Sequence, residues 1–187
     1  MEYLIALALL VLVGAWVVGA FIRLHHLHER VQSAWEKWQF ATQHRNDCLG
    51  DFVSLFACYL PQEDTLARDM RRWAEDSRRA LAALTNAPVL GAGQVLGHAE
   101  RNLERILRYS GRTVEATPQL RENEELLGLY QAMAVSHRMQ AEEARLYNRS
   151  VHDFNAALDE PAMRLLAPTL GFSPMDEISG RPTTRLN

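Results

Sequence analysis

Residues 24–59 read LHHLHERVQSAWEKWQFATQHRNDCLGDFVSLFACY, and the fold turns on them. Leu24, Leu27, Val31, Ala34, Trp38 and Ala41, then Cys48, Phe52, Leu55 and Tyr59, fall at alternating steps of three and four. Such spacing stacks apolar side chains on one side of a helix and forms a heptad seam. Arg45 is the one polar interruption of that seam. No proline lies between Arg23 and Leu60, and Gly50 is the only glycine there, so the pattern predicts one helix over 23–60.

Immediately before it, Tyr3 to Ile22 runs for twenty positions without a charge. At about 1.5 Å per residue this is about 30 Å of helix, the thickness of a bilayer's hydrocarbon core. Twelve of the twenty are Leu, Ile, Val or Phe, which favours insertion by about 4–7 kcal/mol. The rival reading is a cleaved signal peptide. It is disfavoured by the absence of Lys or Arg before the run, by the run's length, and by bulky Phe21 and Ile22 after Val18-Gly19-Ala20. Residues 1–22 are therefore read as an uncleaved single-pass anchor with a two-residue stub. With nothing to break the chain between them, anchor and seam form one helix of about 85–90 Å. Arg23, Arg30 and Lys37 all follow the anchor, so the positive-inside bias places the N-terminus outside and the body in the cytoplasm, at the cell's inner membrane.

Beyond the seam the chain continues as helices. Leu60-Pro61-Gln62 marks a turn, and a second helix is expected over 62–85, with Leu66, Met70, Trp73, Ala80, Leu81 and Leu84 inward. Asn86-Ala87-Pro88 and Gly91-Ala92-Gly93 mark a loop before a third helix over 94–112, with Leu96, Ala99, Leu103 and Ile106 inward. Thr117-Pro118 is a helix-start signal, with Asn123 an alternative cap, for a fourth helix over 118–159. Its stripe is Leu126, Leu129, Met133, Ala144, Tyr147, Val151, Phe154 and Leu158. Long amphipathic helices joined by short turns fold back antiparallel. The fold class is all-α: a single transmembrane helix continuing into an elongated antiparallel four-helix bundle over 23–160. Helix four would return to the membrane, leaving the apolar segment 161–178 near lipid or capping the base of the bundle. Residues 179–187 read as a disordered tail.

Several of these residues resemble a known family. Val31, Ala34-Trp35, Arg45, Asp47 and Val53 are similar to the first-helix signature of LemA proteins. Asn123-Glu124 resembles the Asn-Glu pair opening their last long helix, and Tyr147-Asn148 with Phe154-Asn155 resembles their aromatic-Asn steps seven residues apart. Pro161, Leu165 and Gly171-Phe172 resemble their closing segment. The resemblance runs over about residues 24–177. It departs at Leu49-Gly50-Asp51, where the family commonly has an Ile-Pro-Asn step, and at the reduced basic stretch Gln43-His44-Arg45. It implies an elongated helical bundle with an N-terminal membrane helix, and no catalytic residue or cofactor.

Read from the residues, the chain holds no reaction centre: no Gly-rich phosphate loop, no His-Glu-x-x-His and no nucleophile elbow. No cofactor or metal is expected, and no enzyme activity. The body carries all 20 Lys and Arg and all but one of the 23 Asp and Glu. That near-neutral balance argues against nucleic acid as a partner. His25, His26 and His28 form a protonatable juxtamembrane collar. A metal held by His25, His28 and Glu29 would need further ligands from elsewhere. Asn148 and Asn155 share a face of helix four and suit buried bonds that fix helix register, with Arg45 a candidate partner. Contact with a ligand or partner is the other reading of these residues. The sequon Asn148-Arg149-Ser150 would be inert in a cytoplasmic helix. Ala15 and Gly19, with Gly14, form a small-residue contact surface on the anchor. Cys48 and Cys58 are too far apart along one helix to pair and are expected to be reduced and mostly buried. These features suggest a membrane-anchored scaffold or adaptor, able to self-assemble and to present its helices to other membrane or envelope proteins. The alternative is a sensor that relays a change along the continuous helix.

Overall fold

A computed structural model describes residues 2–59, 65–84, 104–106 and 108–178. Among these residues the secondary structure is helical, with no strand. The elements are α1 (Glu2–Phe56), α2 (Thr65–Leu84), α3 (residues 104–106 and 108–116), α4 (Pro118–Arg121), α5 (Glu124–Asp159) and α6 (Pro161–Leu166). The expected turn at Leu60-Pro61-Gln62, the loop at 86–93, Leu96, Ala99, Leu103 and the tail 179–187 lie outside the described residues, as do the side chains of Leu66, Leu81 and Leu84.

The 55 residues of α1 run without interruption from the apolar stretch into the seam, a length of about 82 Å. The helix ends at Phe56 rather than at 60, in a turn where Cys58 N donates to Leu55 O and Tyr59 N to Phe56 O. It passes straight through Gly50, beside which the Arg78 guanidinium of α2 sits. The apolar stretch has a mean hydropathy of 2.7 and is long and apolar enough to cross a membrane. Of residues 3–22 only Ala20 is buried, so the described residues provide almost no cover for this surface.

Along α1, Leu24, Val31, Trp38, Arg45 and Phe52 are buried at strict seven-residue steps. The facing line on α5 is Leu126, Met133, Gln140, Tyr147 and Phe154, also seven apart. Cross-helix contacts fix the register. Arg23 pairs with Glu160 at 2.7 Å and Arg30 with Asp153 at 3.8 Å. The Trp35 ring meets Tyr147, Phe52 meets Tyr130, and Asn123 Nδ2 donates to the Tyr59 hydroxyl. Position thus falls along α5 as it rises along α1. Leu27 and Ala34 are half-buried, and beyond Arg45 three more seam positions are less buried than their spacing predicts: Cys48 and Leu55 are half-buried and Tyr59 is exposed. In their place Thr42, Asn46, Leu49, Val53 and Phe56 are buried, because α2 covers α1 from a second side and widens its inner face.

The core has two apolar parts. One gathers Leu49, Phe52, Phe56, Met70, Ile106, Val114, Leu126 and Met133 from α1, α2, α3 and α5. The other gathers Ala20, Leu24, Val31, Tyr147, Val151, Phe154, Met163 and Ala167 from α1, α5 and the segment after α5. Between them α1 and α5 bury polar side chains: Thr42, Arg45, Asn46, Ser136 and Gln140. Asn46 Oδ1 accepts from Ser77 Oγ of α2 at 3.0 Å, so the polar level also holds α2.

The expected fourth helix is divided. Thr117 precedes Pro118 at the start of α4 but makes no side-chain cap bond. Asn123 then takes an extended backbone (φ −85, ψ 103), and its Oδ1 accepts from Leu126 N at 2.9 Å. An Asn at that position satisfies one of the amides a helix start leaves open, so both start signals are used, one after the other. Glu124 and Glu125 occupy the first turn of α5, where carboxylates favour the helix dipole. Pro161 closes α5 by driving Glu160 into an extended conformation (ψ 135) and opens α6.

Candidate functional site: a strap held by asparagines

After α6 the chain turns through Gly171, whose φ of +80 lies in the left-handed region that a side chain disfavours. It then runs as non-helical chain over 172–178 back along α5. Two asparagines hold it. Asn155 Nδ2 donates to Met175 O at 2.8 Å, and Met175 N donates to Asn155 Oδ1 at 3.0 Å. Ile178 N donates to Asn148 Oδ1 at 2.8 Å. The Tyr147 hydroxyl adds a bond to Asp176 O at 3.1 Å.

The spacing explains itself. Seven residues of helix advance about 10.5 Å, and three residues of extended chain advance about 10 Å. Amides seven apart on α5 therefore meet main-chain groups three apart on the strap. The apolar side chains Phe172, Met175 and Ile178 share that three-residue step and pack into the lower core. Phe172 lies among Phe21, His28 and Phe154, with ring centres 6.0, 5.9 and 6.2 Å away. Ile178 reaches the Trp35–Trp38 pair. Burial, and then the Asp176 carboxylate, push the Tyr147 hydroxyl up to about 12.

The structure brings together Tyr147, Asn148, Phe154 and Asn155 on one side of α5, and Asn123 stands apart at that helix's start. Arg45 does not join them. It is fully buried at the polar level, with Nη2 donating to Asn46 Oδ1 at 3.4 Å. Among the described contacts the Asn148 oxygen accepts from the strap, and none joins it to Arg45. The strap partner was missed because residues 172–178 carry neither the helical nor the alternating strand period. The available signals were the Phe172, Met175, Ile178 step and Gly171 before it.

The histidine collar splits. His25 and His26 flank Glu29, each at 3.5 Å. His28 turns inward against Phe154 and Phe172, with Nε2 3.0 Å from Gln32 Nε2. Among the described residues no three His, Cys, Asp or Glu side chains converge to hold a metal ion. Gly14 and Gly19 have open space beside them and Ala15 is exposed. Cys48 is half-buried with Sγ 3.9 Å from His44 Nε2, whereas Cys58, expected to be mostly buried, is exposed. It falls in the turn beyond the end of α1, where no described helix covers it.

Compared with known proteins, the chain is matched by one family model, described as the LemA family, over residues 34–185. No curated protein and no solved structure matches it.

Proposed function

Because the chain belongs to the LemA family, a membership that carries no reaction with it, we propose that it is a non-enzymatic, membrane-anchored scaffold or adaptor. In this reading the apolar start of α1 spans the inner membrane with the N-terminus outside. The rest is an antiparallel four-helix bundle in the cytoplasm that presents its helical surface to protein partners, including copies of itself. The falling register of α5 against α1 supports the antiparallel arrangement, and Arg23, Arg30 and Lys37 after the anchor support the orientation.

One observation carries the scaffold reading. The most distinctive polar side chains, Asn148 and Asn155, are bonded to the chain's own backbone at Met175 and Ile178. They act in building a rigid body and are not turned toward a substrate. The unbroken α1 favours a second reading, a sensor in which a tilt or shift of the anchor reaches the distal core directly.

The test is crosslinking in native membranes, followed by subunit counting in mild detergent and identification of crosslinked proteins. A stable assembly with one dominant partner is the scaffold outcome. A monomer whose helix packing changes with lipid composition is the sensor outcome. A monomer that captures nothing under gentle crosslinking refutes the scaffold. Orientation is read separately through exposed Cys58. An impermeant maleimide should label it only after cells are broken, and labelling of intact cells would reverse the topology.

A further inference from the structure

Directly past the apolar run, α1 and α5 enclose an open groove of about 580 Å³. Arg23, His26 and Arg30 line one wall, Asp153 and Glu160 the other, and Ala157 the floor. Arg23 is the first charged residue after the uncharged run Tyr3–Ile22. From there to Arg30 the helix rises about 10 Å. The polar layer on each side of a bilayer is about 5–8 Å deep, so an anchor spanning 3–22 sets this groove at the level of the lipid headgroups.

The groove's charges are balanced. Arg23 holds Glu160 through two bonds of 2.9 and 2.7 Å, and Arg30 faces Asp153 at 3.8 Å. The bond to Glu160 raises the Arg23 guanidinium above its ordinary value, and the same bond holds the Glu160 carboxyl below its own, so both stay ionised. All four side chains are 40% or more exposed, which leaves them able to exchange partners. A bare anion would have to displace two carboxylates that carry its own charge. A ligand with a phosphodiester and a nearby ammonium instead replaces each ion pair with two. A quaternary ammonium offers no N–H to a carboxylate and prefers a cage of aromatic faces, which this lining lacks.

We propose that the groove is a binding site for the headgroup of a phosphoethanolamine lipid, with Arg23 and Arg30 on the phosphodiester and Glu160 and Asp153 on the primary ammonium. The proposal rests on the anchor reading above.

The test incorporates the full chain into nanodiscs of mixed phosphoethanolamine, phosphocholine and phosphoglycerol lipids, extracts it gently, and counts retained lipids by native mass spectrometry. Wild type should retain phosphoethanolamine lipid at least threefold above its share of the bilayer. Arg23→Gln with Arg30→Gln should return that ratio to the bulk value. Ala156→Leu, which leaves every charge in place and fills the groove from an exposed position, should do the same. Helix content by circular dichroism checks that each variant is folded. A bulk ratio in wild type, enrichment of phosphoglycerol lipid instead, or enrichment unchanged in both variants would each overturn the proposal. Soluble glycerophosphoethanolamine that binds the delipidated chain as tightly as the lipid would make the ligand a solute and overturn the lipid assignment. Failure of the chain to enter the nanodisc at all would mark the anchor reading as the one at fault, and the groove would fall with it.

Discussion

The same two helices, α1 and α5, are closed off in different ways at their two ends. Toward the distal end α2 and α3 lie over them, and the core is filled by side chains from five helices, Leu120 of α4 included. Toward the apolar start of α1 no described helix of comparable length covers them. There α6 and the strap 172–178 complete the core, pinned by side-chain amides. The 20 residues of α2 reach only about 30 Å, well short of α1. The longer pair must therefore be finished by something else, and an extended chain spans the gap with fewer residues than a helix needs. Helix-on-helix packing draws its stability from buried area. The strap, being short, depends on a few directed bonds.

The largest effects should come from the paired core rings. Phe52→Ala and Phe154→Ala each remove a fully buried ring and should each cost about 3–5 kcal/mol. Their consequences should separate by region. In hydrogen exchange, Phe154→Ala should release the Met175 and Ile178 amides, and Phe52→Ala should leave them protected. Equal exposure of both amides in the two variants would mean that the core is a single unit.

Next is the clamp. Asn155→Ala removes a donor and an acceptor from Met175 and should cost about 1–3 kcal/mol. Limited proteolysis should then cut first within 172–178. Asn155→Asp keeps the acceptor for Met175 N and should recover part of the loss. Tyr147 adds a pH signature. Its hydroxyl is raised to about 12, above the roughly 10 of an unfolded chain. Stability from this group is therefore complete below about pH 10 and declines as pH rises toward 12, because the unfolded chain gives up its proton first. Urea midpoints across pH 9–11 should fall in wild type, and Tyr147→Phe should flatten that fall.

What was legible in the sequence follows the same division. The seam from Leu24 to Phe52 and the stripe from Leu126 to Leu158 announce long helices because their period is that of the helix itself. LemA membership was legible in motifs whose geometry was not. The breadth of the buried face at Leu49, Val53 and Phe56 was missed, since it depends on a neighbour, α2, that the local pattern does not encode. The asparagines at 148 and 155 were legible as a pair that needs a partner, but their partner's backbone bonds leave no mark on side-chain identity. Expecting a helix opposite them pointed to Arg45. The true partner is unpatterned chain that follows a proline, a six-residue helix and a left-handed glycine.

The smallest expected effect tests that substitution of partners. If Asn148 served the register of α1 against α5 through Arg45, then Arg45→Ala and Asn148→Ala would be coupled by about 1 kcal/mol or more in a double-mutant cycle. In the structure the Asn148 oxygen accepts from Ile178 N, and Arg45 lies at the polar level beside Asn46 and Ser77. With no described bond in common, the two losses should add to within about 0.5 kcal/mol. Asn148→Ala should behave like a milder Asn155→Ala and loosen the strap end at Ile178, because it gives up one bond where Asn155 gives up two. Arg45→Ala should leave the strap intact and act on the level that joins α1 to α2. Strong coupling would mean that the polar level and the strap work as one device, and that the division between the two halves lies elsewhere.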